Sequence, residues 1–568
     1  MVEVLDTNGR LTRCCLALLI AVAGLAATTP VAAAAPNPTR IDPALLALAK
    51  ANPTTAFSVI VRAAGTSSRD RRALRASKAI ERSKGRVGHG LSIIGGASAT
   101  LSGAQLIVLS HDTDVAYISA DQILSAKFDP ALGATRVTTP GIREIGAARV
   151  WQELGVTGRG VGVAIVDSGI ADSPDLAGRI VASVDFTSGA PGEPLVAAAD
   201  PGGHGTHVSG LVAGDGTASA GAYTGVAPGA DLVDVRVIGA TGATNVSTVL
   251  RGLQWVLAQR ATYNIRVVNM SLGATTAVSY RQDPLATAVE VLTFAGVTVV
   301  VAAGNAGPGD STITTPGDDP YAITVGALDD SGTAASADDV LAPWSSRGPT
   351  SVDGIAKPDL VAPGRKMISL RSPGSTLDLL YPERRIAGTD PSAPAYFRMS
   401  GTSMAAPVVT GIVALMLERD PALTPRQVKQ ALLDTASPLA FGSPTTTGAG
   451  MADAYAAVLA TDRVSDAIPY RVSDGFAWDA LPYVQGQPLV WRDPGFNGGV
   501  DSNGTPWSSV TWDSIVWDAV TWEAIAWGSF NWTEIAWEDI AWEDIAWEST
   551  TPSMTSLSSA GSGWKLVN

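Results

Sequence analysis

Cysteine is nearly missing from this chain. Its 568 residues include two, Cys14 and Cys15, side by side near the N-terminus. No disulfide framework and no thiol chemistry can therefore support the rest. Histidine is also scarce: His89, His111, His204 and His207 are the whole supply, so an imidazole base has few candidates. Positive charge is in deficit, with 39 Lys and Arg against 53 Asp and Glu and a formal charge of −14. A phosphate backbone needs a basic face, so this balance argues against a nucleic-acid partner. Long apolar runs are absent too, except near the start.

That exception reads as an export signal. Arg10 and Arg13 precede an apolar stretch from Leu16 to Ala27, and Pro30 and the small residues Val31 to Ala35 follow with several A-x-A cleavage choices. An uncleaved membrane anchor is the rival reading, but Thr28, Thr29 and Pro30 interrupt the run. Residues 1–35 are thus expected to be a signal peptide and the product to be secreted.

Four blocks follow. Residues 36–54 are rich in Pro and Ala and read as a leader or linker. Residues 55–127 read as a small α+β unit, with strands at Phe57–Val61, Leu91–Leu101 and Val115–Ile123, a basic helix at Ser67–Lys84 and a short helix at Ala104–Ser110. In residues 140–460, short apolar runs (Gly162–Val166, Leu232–Val237, Val267–Met270, Val297–Ala302) alternate with helical stretches (Ser247–Ala258, Asp283–Phe294, Ser403–Glu418). That rhythm predicts an α/β fold of three layers, a mostly parallel sheet between helices. Sites in such folds sit beyond the carboxyl ends of the strands. In residues 463–568, Trp recurs every five residues from Trp507 to Trp547, with acidic residues between and neither Lys nor Arg in that span. Five residues rotate a helix by about 500°, which would scatter the rings. A repetitive β or extended arrangement fits better.

Three segments carry chemistry. Asp167 ends a predicted strand and is followed by Ser168-Gly169; alone, it would read as a turn or cap residue. His204 stands in Gly202-Gly203-His204-Gly205-Thr206-His207, where glycines permit close backbone approach to an imidazole or a ligand. Two histidines without an evident third ligand make a poor metal site. Ser403 stands in Gly401-Thr402-Ser403-Met404-Ala405-Ala406-Pro407, ahead of an apolar helix whose N-terminal N–H groups favour developing negative charge. Alone, it would read as a helix cap.

Together the segments V-D-S-G, H-G-T-H-V-S-G and G-T-S-M-A-A-P, in the order Asp, His, Ser, resemble the signature motifs of the subtilisin-like serine peptidases, or subtilases. G-V-A-P-G-A at 225–230, V-N-M-S-L-G at 268–273, A-A-G-N at 302–305 and K-P-D-L-V-A-P-G at 357–364 extend the likeness over residues 140–460. The resemblance implies a serine endopeptidase acting on polypeptides, with Ser403 as nucleophile, His204 as base, Asp167 orienting it, and Asn305 donating to the oxyanion. It also implies that Ser271, Leu272 and Gly273, with Ala302, Ala303 and Gly304, wall the substrate pocket and pair with substrate backbone. No cofactor is required for catalysis. Calcium is common in the family, but no ligand set can be mapped onto this sequence. Residues 365–398 form a long stretch expected to reshape the groove.

The resemblance gives the flanks a meaning. Residues 55–127 match the family's inhibitor propeptide, which predicts a self-processed precursor cut between about 124 and 140. The Trp repeat is either a self-stacking tail or a surface for cell-wall or polysaccharide material, which would hold the enzyme at the cell surface. An adhesion protein with a vestigial peptidase domain is the alternative from another class, and the intact set of four residues argues against it.

Overall fold

The computed structural model describes residues 40–65, 67–126, 144–187, 199–333 and 336–460. The expected signal peptide and Trp repeat lie outside them.

Strands with near-continuous Val, Ile and Ala build the centre. The strand order is Val340–Leu341, Ile323–Asp329, Thr298–Ala302, Ile265–Met270, Gly162–Asp167, Asp231–Arg236 and Ile180–Asp185, with Leu360–Pro363 also paired to Ile323–Asp329. All of these pairs are parallel except Val340–Leu341 against Ile323–Asp329. Both faces are dry, and alternation decides which side chain enters which core. Val163 and Ile165 face one cluster with the helices His204–Ala213 and Thr402–Arg419. Ala164 and Val166 face the other, with Val246–Gln259 and Pro284–Phe294.

The small unit has a core of its own, built on a four-stranded antiparallel sheet. Two expectations change here. The stretch read as a linker contains the helix Pro43–Ala51, capped by Asp42, and its Leu45 and Ala49 are buried in that core. The single strand expected at Leu91–Leu101 is two, Arg86–Leu91 and Gly96–Ser102, because Gly95 turns the chain with φ +60°. At that angle a side chain would be strained.

The unit also shares the second core of the larger body: Ile60, Leu91, Ile93, Ile94 and Leu124 join the cluster beneath Val246–Gln259 and Pro284–Phe294. Polar contacts fix the seam. Arg62 donates to Thr287 Oγ1 at 3.1 Å and to the Gln282 carbonyl at 2.9 Å. Asp121 accepts from Ser247 N–H at 2.8 Å and from Ser247 Oγ at 2.7 Å. The N-cap residue Asn245 supplies no side-chain bond of its own, so Asp121 caps that helix from elsewhere in the chain.

The K-P-D-L-V-A-P-G segment has a structural role. Lys357 Nζ, at 1 % side-chain exposure, donates to Asp359 at 2.6 Å, to Thr324 Oγ1 at 2.9 Å and to the Ala322 carbonyl at 3.1 Å. Lys429 Nζ reaches the same carboxylate at 2.8 Å. Burial lowers the Lys429 ammonium to about 8 against the pull of Asp359. Removing that carboxylate strands the buried Lys357 and unpairs the half-buried Lys429, so Asp359→Ala is expected to cost about 3–5 kcal/mol, read as a lower denaturation midpoint in urea.

Candidate functional site

Asp167 is the last residue of the strand Gly162–Asp167 and is fully buried. Its backbone carbonyl accepts from Val237 and Ile238 N–H, just past the neighbouring strand Asp231–Arg236, which leaves the carboxylate for the residues beyond the strand's end. There it accepts from Ser168 N–H at 2.7 Å and meets His204 Nδ1 at 2.8 and 2.9 Å. A carboxylate only accepts, so the tautomer is assigned with the proton on Nδ1.

His204 opens the helix His204–Ala213, with Gly203 before it at φ +91°. The glycine after it is required by space: a Cβ on Gly205 would stand 2.3 Å from the Gly169 carbonyl and 3.2 Å from Asp167 Cβ. The motif is thus two backbones in contact, which brings imidazole and carboxylate together.

Ser403 is the second residue of the helix Thr402–Arg419. Pro407 lies four residues on and has no N–H, so the Ser403 carbonyl lacks its usual helical donor. Ser271 Oγ fills that place at 3.0 Å and accepts from Asn269 Nδ2 at 3.0 Å, while Thr410 Oγ1 donates to Asn269 Oδ1 at 2.8 Å. The segments Asn269–Ser271 and Ser403–Thr410 are therefore one clamp. The Ser403 hydroxyl donates to the Ser271 carbonyl at 3.0 Å; this is the bond seen for it, where the sequence reading directs it to His204.

Asn305 is oriented by Thr402, whose N–H and Oγ1 donate to Asn305 Oδ1 at 3.0 and 2.9 Å. Two donors on one side fix that atom as the oxygen. The amide nitrogen on the other side is buried and has no hydrogen-bond partner among the described residues.

The substrate segments behave differently from one another. Leu272–Gly273 pairs antiparallel with Ile123–Ala126, and the other edge of Ile123–Ala126 pairs with Ala243–Asn245. An extended piece of the small unit thus lies as the middle strand of three, with Leu124 fully buried. Ala302, Ala303 and Gly304 do not join this ladder. Ala303 N–H donates to the Val325 carbonyl of the sheet, its own carbonyl accepts from Thr314, and Gly304 N–H donates to Thr402 Oγ1. The second rail, Ala243–Asn245, escaped the sequence reading because three residues between a Gly-rich turn and a helix carry no strand signal.

His207 is not part of this chemistry. Its Nε2 lies 3.0 Å from the Phe397 carbonyl and 3.2 Å from that of Met367, and burial, aided by His204, pushes it down to about 3. Its contacts with two backbone carbonyls give it a structural place between the helix and the Met367 and Phe397 strands. Among the described residues, no three His, Cys, Asp or Glu side chains are grouped to hold a metal ion.

Residues 158–464 match the subtilase family. The serine protease AprX of Bacillus subtilis is 44 % identical over 309 residues, which span 53 % of this chain and 66 % of that one. Subtilisin Savinase of Lederbergia lenta is 37 % identical over 306 residues, 53 % of this chain and 92 % of its own length. Among solved structures, fervidolysin from Fervidobacterium pennivorans, described as a keratinolytic enzyme related to subtilisin, aligns with a TM-score of 0.54 and 25 % identity, covering 72 % of this chain and 61 % of that one. The chain thus spans just under two thirds of AprX and of fervidolysin. By the matched segment and these relatives, the chain belongs to the subtilase family of subtilisin-like serine peptidases.

Proposed function

We propose that the chain is a secreted serine endopeptidase, made as a precursor that cuts itself, with Asp167, His204 and Ser403 as its triad. The observation that carries this reading is the strand Ile123–Ala126. It lies in a two-railed groove as a peptide would, and it runs toward Leu272, next to the serine whose carbonyl takes the Ser403 hydroxyl bond. Main-chain pairing on both edges accepts varied sequences, as a peptidase of broad range needs.

In this reading Ser403 Oγ leaves the Ser271 carbonyl, gives its proton to His204 Nε2 and attacks the scissile carbonyl carbon. His204 then passes the proton to the departing amine. Asp167 holds the Nδ1–H tautomer and stabilises the imidazolium. The oxyanion is met by the buried Asn305 amide, aimed by Thr402, and by the Ser403 N–H in the first helical turn, where no intrahelical carbonyl reaches. Residues 40–126 act as inhibitor while their last strand fills the groove, and the processing cut falls between about residues 124 and 140. Export rests on the N-terminal signal. Contact with cell-wall polysaccharide rests on the Trp repeat.

The test compares casein hydrolysis by the full secreted chain and by Ser403→Ala. A loss on the order of 10⁶ in turnover is expected, the scale found for subtilisin's own nucleophile, and the variant should accumulate unprocessed. A Ser403→Ala protein that still cuts casein would reject the triad. In Asn305→Ala the turnover should fall by about 10²–10³, again subtilisin's own figure, with KM nearly unchanged.

The seam gives a separate expectation. Asp121→Ala removes the helix cap, which is worth about 0.5–2 kcal/mol. Added as a free inhibitor, a 40–126 fragment carrying it should show an inhibition constant some ten-fold weaker. An unchanged constant would show that the cap does not hold the unit in place.

A further inference from the structure

Asp200 is 2 % exposed, and neither the sequence motifs nor the triad uses it. It accepts five hydrogen bonds. Oδ1 takes Ser168 Oγ at 2.8 Å, Gly203 N–H at 2.7 Å and Gly202 N–H at 3.1 Å. Oδ2 takes Thr206 N–H at 2.9 Å and Thr206 Oγ1 at 2.8 Å. These partners belong to the two segments that must meet. Ser168 follows Asp167 and accepts from Gly205 N–H at 2.9 Å, while Gly203 and Thr206 flank His204. Burial pushes this carboxyl upward, and the bonds from Thr206, Gly203 and Ser168 pull it back.

A second brace backs the same turn. The stretch expected to reshape the groove holds a three-stranded antiparallel sheet (Met367–Leu370, Tyr396–Met399 and Arg385–Ile386) and the short helix Thr376–Leu380. Ser372 Oγ donates to the Asp200 carbonyl at 2.7 Å, Thr376 N–H to Pro201 at 2.9 Å and Leu377 N–H to Gly202 at 3.2 Å. A Cβ on Gly203 would fall 2.3 Å from Ser375 Oγ. Asp378 locks this helix through Arg371 at 2.5 and 2.8 Å, Arg385 at 2.7 Å and Gly374 N–H at 2.9 Å.

We propose that Asp200 is a positioning residue for His204: its carboxylate ties the Asp167–Ser168 strand end to the histidine turn, and the 371–386 insert braces that turn from outside. The inference rests on the triad reading. Asp200 touches no substrate. It acts by fixing where the imidazole stands relative to Asp167 and Ser403, and small displacements of a catalytic group are costly in rate. Asn cannot replace it, since an amide NH2 would face either the Thr206 donors or those of Ser168, Gly202 and Gly203.

The experiment measures kcat and KM of full-length wild type, Asp200→Asn, Ser168→Ala, Asp378→Asn and Ser403→Ala on a peptide amide, with thermal unfolding of each. Asp200→Asn should lose about 10–100-fold in kcat with KM within about two-fold. Ser168→Ala should lose less, and Asp378→Asn only a few-fold. A folded Asp200→Asn with wild-type kcat overturns the proposal and leaves the triad standing. If Asp200→Asn does not fold, Ser168→Ala decides in its place: a lowered kcat at unchanged KM supports the proposal, and an unchanged kcat overturns it. A Ser403→Ala enzyme that remains active overturns the triad, and this inference with it.

Discussion

The structure is organised around a carboxylate buried at a strand end. An ionised Asp167 without compensation would cost several kcal/mol, so donors must come to it and leave little room for anything else. Ser168 N–H comes from the same chain, and the His204 ring comes from a helix start more than thirty residues away. Bringing that helix start so close requires Gly205 against the Gly169 carbonyl, and it requires the turn before His204 to be held in shape. Asp200 holds it, by the same kind of convergence of donors on a buried carboxylate.

The other half of the site follows from a missing donor. Pro407 removes one helical hydrogen bond, and Ser271 replaces it, tying the helix Thr402–Arg419 to the segment that pairs with Ile123–Ala126. One proline in a helix therefore links Ser403 to Leu272–Gly273. Asn305 is tied in from the third side through Thr402, which leaves its amide nitrogen buried and without a partner among the described residues. A buried donor without a partner costs about 1–3 kcal/mol.

Much of this was legible in the sequence, for definable reasons. The alternation of Val- and Ile-rich runs with helices foretold the sheet, since parallel strands covered on both faces must be apolar throughout. The glycines around His204 foretold the close backbone approach that sets its ring against Asp167. Asp200 was hidden because an Asp before Pro-Gly-Gly looks like an ordinary turn; its five donors come from Ser168 and from residues up to six positions onward, and only the folded turn brings them together. The rail Ala243–Asn245 was hidden because its strand character exists only against a bound partner. The break at Gly95 was hidden within a run whose apolar residues suit one strand as well as two. At Ala302–Gly304 only the fold shows which partners Ala303 already has, Val325 for its N–H and Thr314 for its carbonyl.

The bound strand and the small unit's core answer two separate demands. Three-stranded pairing by Ile123–Ala126 would hold any extended peptide, and alone it is too short to confer specificity. What distinguishes this segment from a substrate is its attachment: Ile60, Leu91, Ile93 and Ile94 lie in the same core as Leu124, and Asp121 and Arg62 fasten the seam on either side. On the proposed reading, the cut leaves a product that cannot diffuse away as a short peptide does, because its affinity comes from the folded unit rather than from the groove. Release of the active enzyme then requires the small unit to unfold or be digested. The stability of its separate core around Val59, Val61, Ile80 and Leu106, rather than the chemistry at Ser403, would set how quickly activity appears.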